Sequence, residues 1–247
     1  MSEISLKAEE LFRVGSFTVT NSLLVSGIVL VMMTTVGFSI RKKLATVPGM
    51  FQGFFEVAIE GLMGLMDSVL GSREKTEKYL PLVATIFLTV VTANWLGLIP
   101  GVGSVGIYEY HHGESVLVPF LRSPSADLNF TLAIAVIAVF GVNLFGILAA
   151  GFFRYANRFF TLKNPIYTFV GILEFISEFA KMISFSFRLF GNVFAGEVLL
   201  AIIGVLAPYF IPIPFLFMEI FVGFIQAFVF ATLTLVFISI ATAETEH

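Results

Sequence analysis

Cysteine is missing from the 247-residue chain, which excludes disulfides and thiolate metal sites. Histidine occurs only at His111, His112 and His247, outside the long apolar runs, so no histidine base is available at membrane depth. Charge is scarce as well. Only 13% of residues are Asp, Glu, Lys or Arg, and a net charge of −3 offers no basic face to a nucleic acid. In their place stands apolar surface: 57% of the residues are hydrophobic and 30 are Phe.

Residues 17–40, 80–106 and 128–153 contain no Asp, Glu, Lys or Arg. Each run exceeds the roughly 20 residues that cross about 30 Å of hydrocarbon. Two further runs, 166–207 and 208–243, are apolar except for a few ionisable residues. The chain therefore reads as all-α, a single polytopic membrane bundle over 1–247 with about five passes. Residues 1–16 form an outer segment, and the run 17–40 is a retained first span with a basic stop at Arg41, Lys42 and Lys43.

Orientation follows the basic residues. Loops 41–79 and 154–165 carry nine Lys and Arg, among them Arg73, Lys75, Arg154 and Arg158, whereas loop 107–127 has only Arg122 beside Glu109, Glu114 and Asp127. The first two face the cytoplasm, which puts the N-terminus outside and the C-terminus inside. Residues 48–70 hold Glu56, Glu60 and Asp67 near one stripe of a helix and apolar residues elsewhere, the pattern of an amphipathic helix on the inner surface.

The C-terminal run is too long for upright spans. From Pro165 to Pro208 a helix would extend about 64 Å at 1.5 Å per residue. Either it breaks or it tilts strongly, and 214–243 is similarly overlong. Pro208, Pro212 and Pro214 mark the turn between them. Residues 165–243 are thus expected to form a hairpin of two long, strongly tilted helices.

That hairpin carries the chemistry. Arg188 is a permanent cation in an apolar stretch, where insertion costs roughly 2.5–3.5 kcal/mol, so it calls for a functional reason. At 100° per residue, Glu174, Ser177, Lys181, Ser184, Arg188 and Asn192 lie within about 40° of one line. Glu197 falls on the opposite face. Antiparallel register about the proline turn sets Glu197 opposite Glu219 and Arg188 opposite Gln226. Two half-pathways result: Glu197 and Glu219 from outside, Lys181, Glu178 and Glu174 from inside, with Arg188 and Gln226 between them. Carboxyl groups in such low-dielectric surroundings can bind and release protons near neutral pH. The plainer alternatives are a solvated helix end at Glu174–Lys181 and a helix-joining acid pair at Glu197 and Glu219.

The runs RLFGN at Arg188–Asn192, GE at Gly196–Glu197, QAFVF at Gln226–Phe230, PSADLN at Pro124–Asn129 and NWLGLIPG at Asn94–Gly101 together resemble the a subunit of F-type ATP synthases. The resemblance implies a stationary, non-catalytic proton-channel subunit in the membrane sector. Arg188 matches the essential stator arginine, which faces a rotating ring of c subunits. Glu197 and Gln226 match polar residues of the outer proton path, to which the register above adds Glu219, and Asn94, matching an asparagine on a neighbouring helix, is assigned to the same path. Asn192 matches the asparagine beside the arginine, and Lys181, Ser184 and Glu174 match positions of the inner path, to which the half-pathway above adds Glu178. Glu219 stands where one common bacterial pattern has histidine, so a histidine relay is excluded here. The implied partners are the c ring, the peripheral-stalk b subunits, the bilayer and, indirectly, the catalytic F1 sector. The location is an energy-transducing membrane, a bacterial inner membrane by the family's common pattern. No cofactor is implied; the transported ion is H+, with Na+ left open because the ion-binding carboxylate lies on the ring.

Other signals are set aside. GNVFAGEV at Gly191–Val198 has the glycine spacing of a phosphate loop but lacks its Lys-Ser/Thr. His111 and His112 with Glu109 and Glu114 read as a solvated loop rather than a metal site. A secondary ion transporter is the main rival function, but it predicts inverted repeats and paired broken helices, and neither is present.

Overall fold

A computed structural model describes residues 8–42, 45, 48–99, 105–111, 114–159 and 165–243. Strands β1 (Glu10–Val14) and β2 (Phe17–Thr20) lead into α1 (Asn21–Lys42). Helices α2 (Met50–Leu70) and α3 (Arg73–Leu96) follow, then strands β3 (Gly106–His111) and β4 (Glu114–Pro119) and a short 3-10 turn at Pro124–Ala126. The chain continues through α4 (Leu128–Ala150), α5 (Phe152–Phe159), α6 (Pro165–Leu206) and α7 (Pro212–Ala243). Among the described residues five helices are long and apolar enough to cross a membrane: α1, α3, α4, α6 and α7. The fold is an all-α, polytopic membrane bundle, with two short antiparallel hairpins, β1–β2 and β3–β4, outside the spans.

Several boundaries depart from the charge-free runs. The second span starts at Arg73, seven residues before the expected 80, and ends at Leu96 rather than 106. It also keeps Pro81 in its interior, at the cost of one backbone hydrogen bond. Loop 107–127 is largely a hairpin, and the polar connection after α4 contains the short helix α5. Of the two options for the overlong C-terminal run, α6 takes the unbroken one, 42 residues of continuous helix.

The chain divides into two compact units. The first gathers residues up to 44 with 88–131 and 187–228. Its core holds Val25, Val29, Val90, Leu189, Val193 and Ala227. Asp127 ties this unit together: one carboxylate oxygen accepts from the Ser22 hydroxyl, and the other accepts from the Asn129 backbone N–H at 2.9 Å, capping α4. Asn21, wholly buried at the start of α1, donates to the Pro119 carbonyl at 3.3 Å.

The second unit holds residues 45–87, 132–186 and 229–247. Met66, Tyr79, Val83, Val139, Leu235 and Ile238 form its core, with Tyr79 edge-on to Phe145 at 4.8 Å between centroids. Within it α2 buries Leu62 and Met66 and leaves Glu56 and Glu60 exposed. The helix ends at Gly71, whose φ of 66° a side chain would resist and whose N–H closes on the Asp67 carbonyl at 2.9 Å. Asp67 then pairs with Arg73 at 2.8 Å, fixing the corner into α3.

Candidate functional site

The first unit contains a small cleft between α3, α6 and α7, lined by Asn94, Ser123, Val193, Glu197, Glu219 and Gly223 among others. Glycines bring its walls together. A Cβ at Gly196 would overlap the Glu219 carboxyl group, so the acid lies directly on the backbone of α6. Glu219 is 5% exposed and Glu197, one residue beyond that contact, lines the same cleft. The register expected from the proline turn thus brings the two acids to one site.

A second glycine supplies a cation that the sequence reading passed over. A Cβ at Gly97 would overlap Ser123, so the segment before α4 packs tightly on the end of α3. Ser123 is buried there and donates to the Ala93 carbonyl at 3.3 Å. Its neighbour Arg122 is thereby carried to Glu197, with Nε 3.5 Å from the carboxylate and only 11% of the side chain exposed. The available signal was that Arg122 is the only basic residue in its loop. Its role depended on which helix the loop met.

Asn94 is 2% exposed and donates to the Gly223 carbonyl at 2.8 Å. Its Oδ1 is buried with no hydrogen-bond partner among the described residues, at the same cleft. Next to it Trp95 donates from its indole nitrogen to the Ile220 carbonyl at 3.1 Å. Gln226 is half-buried, and no hydrogen bond joins it to Arg188.

The face of α6 that carries Arg188 is different. Leu189, Val193 and Gly196 are buried at helical spacing on one side, while Phe187, Arg188, Gly191, Asn192 and Ala195 are exposed on the other. Arg188 makes no ion pair or hydrogen bond among the described residues. Apart from Phe187, the exposed residues beside it on that face, Gly191, Asn192 and Ala195, are small, and the guanidinium is reachable from outside the chain. Ser184 and Ser177, on the same helical line, are exposed too.

In the second unit Glu178 and Lys181 form a pair, Oε1 to Nζ at 2.6 Å, with side-chain exposures of 11% and 22%. This is a partly buried pair held from several helices, not the solvated helix end weighed as an alternative. Asn143 of α4 donates to Glu178 Oε2 at 3.1 Å, and the Tyr155 hydroxyl of α5 donates to Asn143 Oδ1 at 2.8 Å. The Lys181 ammonium also sits 4.7 Å from the centre of the Phe237 ring. Glu174 is half-buried a turn earlier on α6. Asn143 had a readable signal, an amide in a run without charge; Tyr155 had none. His112 lies outside the described residues, as do the side chains of Glu109, His111 and Glu114. Among the described residues no cluster of three His, Asp or Glu could hold a metal ion.

The family model described as ATP synthase A chain matches residues 20–239. The subunit a of ATP synthase from Campylobacter concisus (strain 13826) is 33% identical over 220 residues, covering 89% of this chain and 88% of that protein. The same subunit from Campylobacter curvus (strain 525.92) is 34% identical over 205 residues, 83% of each chain. The Gloeobacter violaceus (strain ATCC 29082 / PCC 7421) subunit is 32% identical over 223 residues, 90% of this chain and 84% of its own. The matched region takes in the cleft, the arginine face and the buried Glu178–Lys181 pair, and the chain belongs to the ATP synthase A chain family.

Proposed function

We propose that this chain is the proton-translocating stator subunit of an F-type ATP synthase, forming two offset half-channels against a rotating ring of c subunits. The observation that carries the reading is Arg188: a charged side chain on an uncovered face of a membrane helix, with no counterion among the described residues. Such a charge is costly in lipid and is tolerated where an anion or water meets it. A ring that brings one carboxylate after another past this face supplies that anion. The small residues around Arg188 leave room for the approach.

In this mechanism protons enter from the N-terminal side of the membrane through Glu219 and Glu197, with Gln226 and Asn94 lining the route. A ring carboxylate takes the proton, becomes neutral and turns into lipid at low cost. After nearly a full turn it releases the proton into the inner route of Glu174, Glu178, Lys181, Ser184 and Asn192. Now an anion, it is drawn past Arg188, which also keeps protons from crossing directly between the two routes. Each charge moved through 100 mV supplies about 2.3 kcal/mol, so several are summed for each ATP. ATP chemistry belongs to the F1 partner subunits, and b subunits hold this chain still. The test is Arg188→Ala: proton-driven ATP synthesis is lost while the complex still assembles. Normal synthesis by an assembled variant would refute the role.

A further inference from the structure

Tyr155, Asn143, Glu178 and Lys181 form a hydrogen-bonded chain across α5, α4 and α6, ending on the Phe237 ring of α7. We propose that Tyr155 and Asn143 are positioning residues for the inner proton route, holding Glu178 and, through it, Lys181 in fixed places. The inference rests on the assignment of Glu178 and Lys181 to that route.

The geometry is directional. The two oxygens of Glu178 have different donors, Lys181 at 2.6 Å on Oε1 and Asn143 at 3.1 Å on Oε2. A carboxylate held from both sides by different helices cannot swing freely. Asn143 is itself fully engaged: its Nδ2 also donates to the Val139 carbonyl at 2.8 Å, and its Oδ1 accepts from Tyr155. The Val139 carbonyl and the Glu178 carboxylate, both acceptors, fix which way round the amide sits, and the tyrosine hydroxyl anchors its oxygen end. Without the hydroxyl the amide keeps its orientation but is held from one end only, so its bond to Glu178 is less firmly placed.

Burial keeps the hydroxyl in place. Tyr155 is 7% exposed, and its ring rests where a Cβ at Gly146 would stand. Its ring meets Phe159 edge-on at 5.7 Å, and Phe159 in turn meets Phe175 of α6. The short helix α5 is thus pinned over the start of α6 with one polar atom pointing in. The ionisable groups facing Glu178 in this network are Lys181 on its own helix and Tyr155 on α5, with Glu174 a turn earlier; α4 and α7 contribute the neutral Asn143 and Phe237.

The experiment uses the assembled ATP synthase in proteoliposomes, with ATP-driven proton pumping followed while the pH on each face is set separately. Asn143→Leu is expected to move the midpoint on the face nearer α5 by about one pH unit upward, since the ionised carboxylate loses a donor, and Tyr155→Phe by about half as much, since the amide that donates is then held less firmly. The midpoint on the opposite face stays put, which a general loss of packing would not produce. Unmoved midpoints in assembled Tyr155→Phe enzyme, or equal movement on both faces, overturn the proposal. So does an Asn143→Leu variant that fails only in assembly while Tyr155→Phe behaves as the parent. Glu178→Gln separates the two levels. If it moves the same midpoint and Tyr155→Phe does not, the positioning role falls and the route stands; if Glu178→Gln moves nothing, the route assignment falls with it.

Discussion

Two arginines of the first unit invite comparison. Arg122 is largely buried and paired with Glu197 at 3.5 Å, on a loop pressed against the end of α3. Arg188 stands on the exposed side of α6 with no ion pair among the described residues. Both are permanent cations, so the difference lies in where the anion comes from. A guanidinium whose counterion is in the same chain organises that chain. One kept apart from the acids among the described residues is available to a charge that arrives from elsewhere.

Substitutions can break or sharpen that contrast. The largest effect belongs to Arg188→Ala, which abolishes proton-driven synthesis in vesicles while leaving the amount of assembled complex unchanged. Arg122→Ala should instead lower synthesis about tenfold, as expected from losing one charge-assisted contact worth roughly 1.5 kcal/mol. If the two variants were equally dead, the contrast between a visiting and a resident anion would fail. Next comes Gly196→Ala. The added methyl meets the Glu219 carboxyl, the movable end of a flexible side chain, so assembly persists and synthesis falls about threefold, roughly 0.65 kcal/mol. Gly97→Ala makes the matching control: there the methyl meets Ser123 Cβ and Cα, which cannot yield, and the cost is about 1–3 kcal/mol of stability, read as a lower melting temperature. The smallest effect is Glu219→His, which retains part of the coupling but shifts its pH optimum, because an unperturbed imidazole titrates near 6.5 and a carboxyl near 4.3. A pH–rate profile identical to the parent's would count against Glu219 as a relay.

Much of this architecture is written in where charge is missing. Three apolar runs without Asp, Glu, Lys or Arg, and two longer ones with only a few, mark the five spans because hydrocarbon penalises each of those residues. The prolines at 208, 212 and 214 mark the hairpin turn because they interrupt a helix that nothing else does. The polar line through Ser184, Arg188 and Asn192 is legible because a helix repeats every 3.6 residues, and that line is exposed along α6. The two β-hairpins were not legible: ELFRV and FTVT become strands by pairing with each other around Gly15, whose φ is 65°, and no long periodic pattern announces such a pairing. The partners of the ionisable groups were hidden for a similar reason. Arg122 finds Glu197, and Tyr155 finds Asn143, only because glycines at 97 and 146 let distant segments come close. A glycine in a sequence does not say what will lean against it.

The end of α3 has a consequence for motion. Asn94 and Trp95 each give a side-chain N–H to a carbonyl of α7, at Gly223 and Ile220, and those carbonyls are about one turn apart. A helix gripped at two successive turns cannot roll or slide without surrendering both grips. Glu219 sits one residue before Ile220, so its backbone is splinted to α3. Whatever opens or shuts the cleft must therefore be small: a rotamer, a water, or the Arg122 side chain letting go.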